Sequence, residues 1–231
     1  ALETLPIMTK YWMAVFKAGA ADYVDAMNFH FGNEFDTTQS DFVVDLGTHI
    51  DLYYSVMPPG KKKGIWITEY ITGDRKLSEF DVAIGYLQRF AFAASRGVTK
   101  LFIEFYGHLL PPRRGTSDSP DGMPGPIDKS AMVQVDRQGR YKAQLIFYTQ
   151  KLMNLKLGGF TRCVELTRTH KQYTFTVKGR SVYVLWGGET PPDLAGKLAT
   201  VTDVFGNIFV VPFPSAGQSI HNVLTAKGGP K

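Results

Sequence analysis

Glu69 is the residue whose type and position most directly suggest chemistry. It ends a short apolar run at residues 64–70 (Gly-Ile-Trp-Ile-Thr-Glu-Tyr), in which β-branched and aromatic residues predict a buried strand. A basic, glycine-containing loop precedes this run, and a segment with helical periodicity follows it. In α/β architectures, the carboxyl end of a buried strand is where catalytic groups are held. The alternative is a strand-end glutamate that only faces solvent.

Other kinds of catalytic site find less support. Cys163 is the only cysteine, so neither an internal disulfide nor a cysteine-based zinc cluster is expected, and its strand-like surroundings predict core or half-buried filler. The five histidines show no metal-ligand spacing. No Gly-x-Ser-x-Gly elbow supports a serine hydrolase. We therefore predict no metal and no cofactor.

The composition predicts a globular protein without a nucleic-acid or membrane partner. The apolar fraction of 44% indicates a substantial core, and 231 residues can hold one large domain or two small ones. No apolar run approaches the roughly 20 residues of a membrane span, and no signal peptide is evident. The chain begins inside a helix-like region, which suggests a cut or processed end and leaves the compartment open. The net charge of +5 is modest, and Lys61–Lys63 and Arg113–Arg114 are expected to be solvated loop charges.

Residues 1–158 alternate between predicted helices and strands. Strands are predicted at residues 22–30, 64–69 and 100–106, and a helix at residues 8–18 ends at Gly19. This alternation implies right-handed crossovers and a parallel sheet. A long Pro/Gly-rich loop follows at residues 110–130, and the last helix ends at Gly158-Gly159. The later helices are predicted to bury three faces: Phe42, Leu46, His49 or Ile50, and Tyr53; Phe80, Ile84, Leu87 and Ala91; and Leu145, Tyr148, Leu152 and Leu155.

Residues 159–231 change to short alternating strands separated by turn residues. Hairpin turns are predicted at residues 178–180 (Lys-Gly-Arg) and 205–207 (Phe-Gly-Asn). These features predict a small antiparallel β-sandwich as a second, C-terminal domain. Its strands are predicted at residues 161–168, 172–178, 181–186, 197–204, 207–212 and 219–224.

Several of these motifs, taken together and in order, resemble the end of a (β/α)8 retaining glycoside hydrolase. The relevant clan places its nucleophile glutamate at the end of strand seven. Residues 25–30 (Asp-Ala-Met-Asn-Phe-His) resemble its strand six, residues 65–70 its strand seven, and residues 97–102 the lead-in to strand eight. Residues 136–142 (Asp-Arg-Gln-Gly-Arg-Tyr-Lys) resemble the pattern before its last helix. Residues 184–186 (Val-Leu-Trp) and 203–206 (Asp-Val-Phe-Gly) are similar to motifs of the sandwich that several of its families append.

The resemblance implies a fold of α/β plus all-β class: a partial (β/α) barrel made of its last three strands, then the sandwich. It implies that Glu69 is the catalytic nucleophile, because retaining glycosidases use one carboxylate to attack the anomeric carbon and another to protonate the leaving oxygen. It also implies a carbohydrate substrate. The residues expected to bind that substrate are Asn28, His30, Tyr70, Glu104 and Tyr106, with His108 near the same rim. The other interpretation of His30 is a partly buried strand-end histidine, and that of the aromatic residues is core packing.

The chain departs from the family pattern in one important respect. The acid/base glutamate of the clan ends strand four, which is expected to lie before Ala1. The pair Asn33-Glu34 copies the expected motif but falls in a loop, where a solvated acid is the default interpretation of Glu34. Phe31 also stands near a position where many relatives carry a tyrosine. Three strands cannot close a barrel, so a partner chain or a missing N-terminal barrel half is expected to complete it.

The competing hypothesis is a non-catalytic carbohydrate-binding or assembly subunit that keeps the sandwich and a degenerate half barrel. Substitution of Glu69 separates the two hypotheses. Hydrolysis of aryl glycosides should vanish in the enzyme, whereas sugar binding should be unchanged in the non-catalytic subunit.

Overall fold

The computed structural model describes residues 5–31, 39–70, 78–103, 132–135 and 140–221. These residues form a mixed α/β structure with several separate sheets. Among the predicted elements, the loop at residues 110–130 lies outside them, as do the ends of the strands predicted at residues 100–106 and 219–224.

The first part of the chain builds a parallel sheet of three strands that are consecutive in sequence. Strands β1 (Ala26–Phe31), β2 (Gly64–Tyr70) and β3 (Val98–Ile103) lie in the order β1-β2-β3, and both pairings are parallel, as predicted. Helix α1 (Leu5–Lys17) precedes them, and helices α2 (Gln39–Val56) and α3 (Glu79–Ser95) form the two crossovers.

The prediction for the first strand was wrong at its beginning. Residues 20–22 form a short 3-10 helix, and β1 starts only at Ala26. Gly19 adopts a left-handed conformation, with φ of 95°, which ends α1 and starts this tight turn.

One face of the parallel sheet is buried against the crossover helices. Met27, Phe29, Ile65, Ile67 and Val98 alternate along the strands and are almost fully buried. The covering face of α2 includes Leu46, Ile50 and Tyr53, as the periodicity predicts. Helices α2 and α3 contact each other, so both cover the same side of the sheet.

The predicted buried face of α3 was largely wrong. Of the four predicted residues only Ala91 is buried, whereas Phe80, Ile84 and Leu87 are only half-buried. Helix α3 contacts β3 on one side and the last helix and the next sheet on the other, so its buried surface is wider than one stripe. The residues that it buries are Val82, Ala83, Tyr86, Ala91, Phe92, Ala93 and Ala94.

The region before the last helix contains a hairpin that was not predicted. Strands β4 (Val133–Val135) and β5 (Tyr141–Ala143) pair antiparallel and lead into α4 (Leu145–Leu157). The predicted face of α4 was also wrong, because Tyr148 is 52% and Leu155 76% exposed.

Helix α4 instead buries Ile146, Thr149, Met153 and Leu157, a face rotated by about one residue from the predicted one. Apolar residues lie on both faces, so periodicity could not choose between them. Contact with α3 decides the rotation: the Glu79 carboxylate of α3 accepts a hydrogen bond from the backbone N–H of Leu145. Glu79 thereby satisfies one of the free N–H groups at the start of α4.

The C-terminal part consists of two antiparallel sheets. Strands β6 (Phe160–Thr167), β7 (Gln172–Val177) and β8 (Arg180–Val184) form the first, and β9 (Leu198–Thr202) and β10 (Ile208–Pro212) form the second. The predicted turn between β7 and β8 is confirmed, because Lys178 and Gly179 have φ angles of 49° and 75°. Instead of a described strand at residues 219–221, Ser219 makes an isolated bridge with Glu189.

Two contacts join these sheets to the rest of the molecule and to each other. The first sheet packs on α3 and α4, where the Phe175 ring stacks on Phe90 at 6.1 Å between centroids. The buried side chain of Gln172 donates from Nε2 to the carbonyls of Gly187 and Glu189, at 2.5 and 2.9 Å. It thereby ties β7 to the segment that leads to the second sheet.

Across the described ranges the parallel strands do not close into a barrel. The partial barrel, the β-sandwich and the domain boundary between residues 158 and 159 therefore stay predictions. None of the helices within those ranges combines the length and apolarity needed to cross a bilayer.

Candidate active site

The carboxyl ends of the parallel strands bring the backbones of several predicted site residues together. His30 of β1 pairs with Glu69 of β2, and Phe31 pairs with Tyr70. Tyr70 in turn pairs with Ile103, the last residue of β3. The structure describes the strands that carry His30, Glu69 and Tyr70. All three residues lie at the carboxyl end of the parallel sheet.

The pairing of β1 with β2 contains a register shift just before Glu69. Phe29 pairs with Ile67, but the next residue, His30, pairs with Glu69, so Thr68 is an extra residue in β2. A β-bulge of this kind interrupts the alternation of a strand locally, and bulges are common next to active sites. As a result, Glu69 takes the register position that regular alternation would give to Thr68.

Asn28 and Thr68 form a polar pair beside this bulge. The Thr68 hydroxyl donates a hydrogen bond to Asn28 Oδ1 at 2.5 Å. The backbone of Asn28 is held from the helix side, because the Tyr53 hydroxyl of α2 donates to its carbonyl oxygen at 3.5 Å. Asn28 was among the predicted substrate-binding residues, and its side chain is exposed on the sheet face that the helices leave uncovered.

Sequence reasoning missed three residues of this uncovered face: Trp66, Thr68 and Lys100. Asn28, Trp66 and Lys100 occupy one register row across the strands. The Lys100 ammonium lies 4.2 Å from the centre of the Trp66 ring, within the range of a cation–π contact. Alternation from the buried Ile65 and Ile67 could have placed Trp66 on this face, but the partnership with Lys100 depends on the register between strands.

The remaining predicted residues fall outside the described part of the chain. These are Glu104 and Tyr106, together with His108 and the loop pair Asn33-Glu34. The strand predicted at residues 100–106 is described from Val98 to Ile103. The separation of two catalytic carboxyl groups is therefore not part of the described geometry.

The environment of Cys163 does not activate it as a nucleophile. The thiol is half-buried and lies 3.6 Å from the carbonyl oxygen of Ala91, to which it donates. Burial, with a further contribution from the Glu165 charge, raises its pKa to about 12. The thiol is thus protonated at neutral pH, whereas attack requires the thiolate. Among the residues that the structure describes, no cluster of three His, Cys, Asp or Glu side chains could hold a metal ion.

Comparisons with known proteins give one structural similarity. No protein-family model matches the chain. The search of curated proteins likewise gives no match. Among solved structures, the chain is similar to a family 39 glycoside hydrolase from the gut symbiont Bacteroides cellulosilyticus WH2, with a TM-score of 0.48 and 13% sequence identity. The match covers 87% of this chain and 45% of the other, so the chain spans less than half of that protein.

Proposed function

We propose that this chain is part of a retaining glycoside hydrolase in which Glu69 is the nucleophile. The observation that carries the proposal is the position of the Glu69 backbone. It lies at the carboxyl end of the middle of three consecutive parallel strands, beside His30. Catalytic residues of (β/α)8 barrels come from this end of the strands. The Trp-x-Thr-Glu-Tyr motif that ends the same strand supplies the chemical identity.

The bulge at Thr68 supports a functional role for this position. An uninterrupted alternation would give Glu69 the register of the buried residues Ile65 and Ile67. The extra residue instead aligns Glu69 with His30, two positions after Asn28 on the uncovered face. Bulges commonly re-aim a side chain next to an active site, which accounts for an irregularity at this point of a buried strand.

The uncovered face of the sheet supports a site that further polypeptide completes. All-parallel sheets are almost always covered on both faces, yet Asn28, Lys100 and Phe102 are exposed, with Phe102 at 47%. In a (β/α)8 barrel this face would point to the interior, where the other strands supply the cover. We propose that those strands belong to an N-terminal barrel half or to a partner chain.

In the proposed reaction, the Glu69 carboxylate attacks the anomeric carbon of a glycoside as the bond to the leaving oxygen breaks. A carboxylic acid from the completing polypeptide, about 5–5.5 Å away, protonates that oxygen. The same group then removes a proton from water, which attacks the glycosyl-enzyme and releases the sugar with retained configuration. Asn28 and Thr68 supply hydrogen-bonding groups for sugar hydroxyls, and His30, Tyr70, Glu104 and Tyr106 complete the proposed substrate site.

Covalent trapping tests this assignment directly. The chain, together with the polypeptide that completes the barrel, is incubated with a 2-deoxy-2-fluoroglycoside, and the labelled peptide is identified by mass spectrometry. We expect the label on Glu69, and we expect Glu69→Gln to remove both trapping and turnover. Glu189→Gln, which neutralises an exposed glutamate far along the chain, is the matched control and should change neither. A label on another carboxylate, or undiminished turnover of Glu69→Gln, contradicts the proposal.

The same variant distinguishes the non-catalytic alternative. If the completed protein binds oligosaccharides but hydrolyses no aryl glycoside, and Glu69→Gln binds as well as the parent, the chain serves as a carbohydrate-binding or assembly subunit.

A further inference from the structure

A basic depression lies at the other end of the parallel sheet from Glu69. It has a volume of about 540 Å³ and is lined by Asp51, Tyr54, Lys62, Lys63, Gly64, Ser95, Arg96 and Gly97. Gly64 is the first residue of β2, so the depression and Glu69 are separated by about 16 Å along that strand. The volume falls within the range of small-molecule sites. We call this depression the basic cup.

The charges that line the basic cup are unbalanced. Three of the lining residues, Lys62, Lys63 and Arg96, carry a positive charge, and one, Asp51, carries a negative charge. Asp51 forms an ion pair with Arg96 and so neutralises that guanidinium. In the described part of the chain no carboxylate pairs with Lys62 or Lys63, whereas the neighbouring Lys61 pairs with Asp22. Two ammonium groups therefore remain to attract an anion.

The wall of the basic cup is fixed before any ligand arrives. The Tyr54 hydroxyl donates to the carbonyl of Gly97 at 3.2 Å, which joins α2 to the turn before β3. Gly97 has a φ of 90°, and a side chain at this position would collide with the Tyr54 hydroxyl. Burial raises the pKa of Tyr54, against the opposing effect of the Arg96 charge, so its hydroxyl is neutral at physiological pH. The Lys62 ammonium lies 5.3 Å from the centre of the Tyr54 ring.

We propose that the basic cup binds a small molecule through a phosphate or sulfate ester group. Lysine ammonium groups bind such oxyanions as point charges, and Lys62 and Lys63 both line this one concavity. The basic cup does not include Glu69 or its neighbours. The proposal therefore does not depend on whether the chain belongs to a glycosidase.

Three probes that share the same sugar test the ligand class. Binding of glucose 6-phosphate, glucose 6-sulfate and glucose to the 231-residue chain is measured by calorimetry at low ionic strength. We expect saturable binding of a charged probe and none of glucose. Binding of both charged probes defines a general oxyanion site, and binding of one defines the ester that it prefers. Equal binding of all three probes, or of none, overturns the proposal.

Two variants with opposite expected effects test the location. Lys62→Gln combined with Lys63→Gln should weaken binding of the charged probe by about tenfold or more, because charge-assisted contacts are lost. Asp51→Asn should strengthen binding several-fold, because it removes the one carboxylate of the lining and releases Arg96. Lys151→Gln combined with Lys156→Gln makes the same change in net charge on α4 and should leave binding unchanged. Equal weakening by the two double variants would show attraction by net charge alone and would refute a site at the basic cup.

Discussion

The parallel sheet and the first antiparallel sheet contain three strands each, but they solve the problem of covering their faces differently. In β6-β7-β8, short turns join strands that are neighbours in sequence, and the sheet packs on α3 and α4 of the same chain. In β1-β2-β3, each strand is joined to the next through a helix, and the helices cover only one face. The antiparallel sheet thus pairs strands that are close in sequence, although α3, which covers it, lies far earlier in the chain. Among the described residues, the parallel sheet leaves a polar and aromatic face open. Asn28 and Thr68 lie on that open face, and the backbone of Glu69 lies at the carboxyl end of the same sheet.

The largest expected effect is a loss of stability at the packing contact between the two regions. Phe175 is fully buried in β7 and packs against Phe90 of α3 and Phe160 of β6. We expect Phe175→Ala to lower the free energy of unfolding by about 3–5 kcal/mol, because the cavity would lie at the boundary that both regions share. Urea denaturation followed by tryptophan fluorescence measures the change. Phe102→Ala, on the open face of β3, is the control and should cost much less.

The same experiment examines the predicted domain boundary at residue 158. Trp12 and Trp66 report on the first part of the chain and Trp186 on the second. Buried residues from Phe16 to Phe175 form one contiguous core, so we expect the probes to report one transition. Two separate transitions would contradict that expectation and would support independent folding of residues 159–231.

A second test compares a residue on the covered face of the parallel sheet with an exposed residue of the β9–β10 sheet. Ile67 in β2 is fully buried, whereas Ile208 in β10 is 65% exposed. We expect Ile67→Ala to cost about 2–4 kcal/mol and Ile208→Ala about 0.5 kcal/mol or less, since only the first opens a cavity. Equal losses in thermal or urea unfolding would mean that the β9–β10 ribbon is covered in solution by something outside the described residues.

The last prediction concerns the stability of the antiparallel region at alkaline pH. Burial raises the pKa of the Cys163 thiol to about 12 from an ordinary value of 9.0. The unfolded chain therefore loses this proton first, so the contribution of Cys163 to stability is complete below pH 9 and is lost as the pH rises toward 12. The slope is at most about 1.4 kcal/mol per pH unit.

Cys163→Ala should flatten the fall in unfolding free energy between pH 9 and 11, relative to the parent chain. Because burial also raises the pKa of Tyr173, part of the alkaline loss should remain in the variant. An unchanged slope would show that the thiol ionises equally well in the folded protein.

The sequence predicted those parts of the fold in which local pattern and tertiary packing agree. The face of α2 was predictable because Leu46, Ile50 and Tyr53 are spaced along one side. The faces of α3 and α4 were not, because apolar residues occur around each helix and packing between α3 and α4 selects among them. The β4–β5 hairpin escaped notice because its strands have only three residues each.

The candidate site follows the same division. The strand positions of Asn28 and Glu69 were predictable, because strand ends can be recognised from apolar runs that stop at polar residues, whereas their roles stay predictions. The Thr68–Asn28 hydrogen bond and the Lys100–Trp66 contact were not, since both depend on which residues of different strands stand side by side. The bulge also depends on the pairing of β1 with β2. The alternation of residues within β2 alone does not predict it.

The hydrogen bonds of Gln172 limit which substitutions the C-terminal part of this protein can accept during evolution. The Gln172 side-chain amide donates its hydrogen bonds to the main-chain oxygens of Gly187 and Glu189. These hydrogen bonds therefore do not depend on which side chain stands at residue 189. Substitutions there can accumulate while the link survives. The amide at residue 172 has no such freedom, since a different side chain in that buried place would leave two carbonyl groups without a donor. The tolerance of this contact to mutation is therefore one-sided: permissive at residue 189 and strict at residue 172.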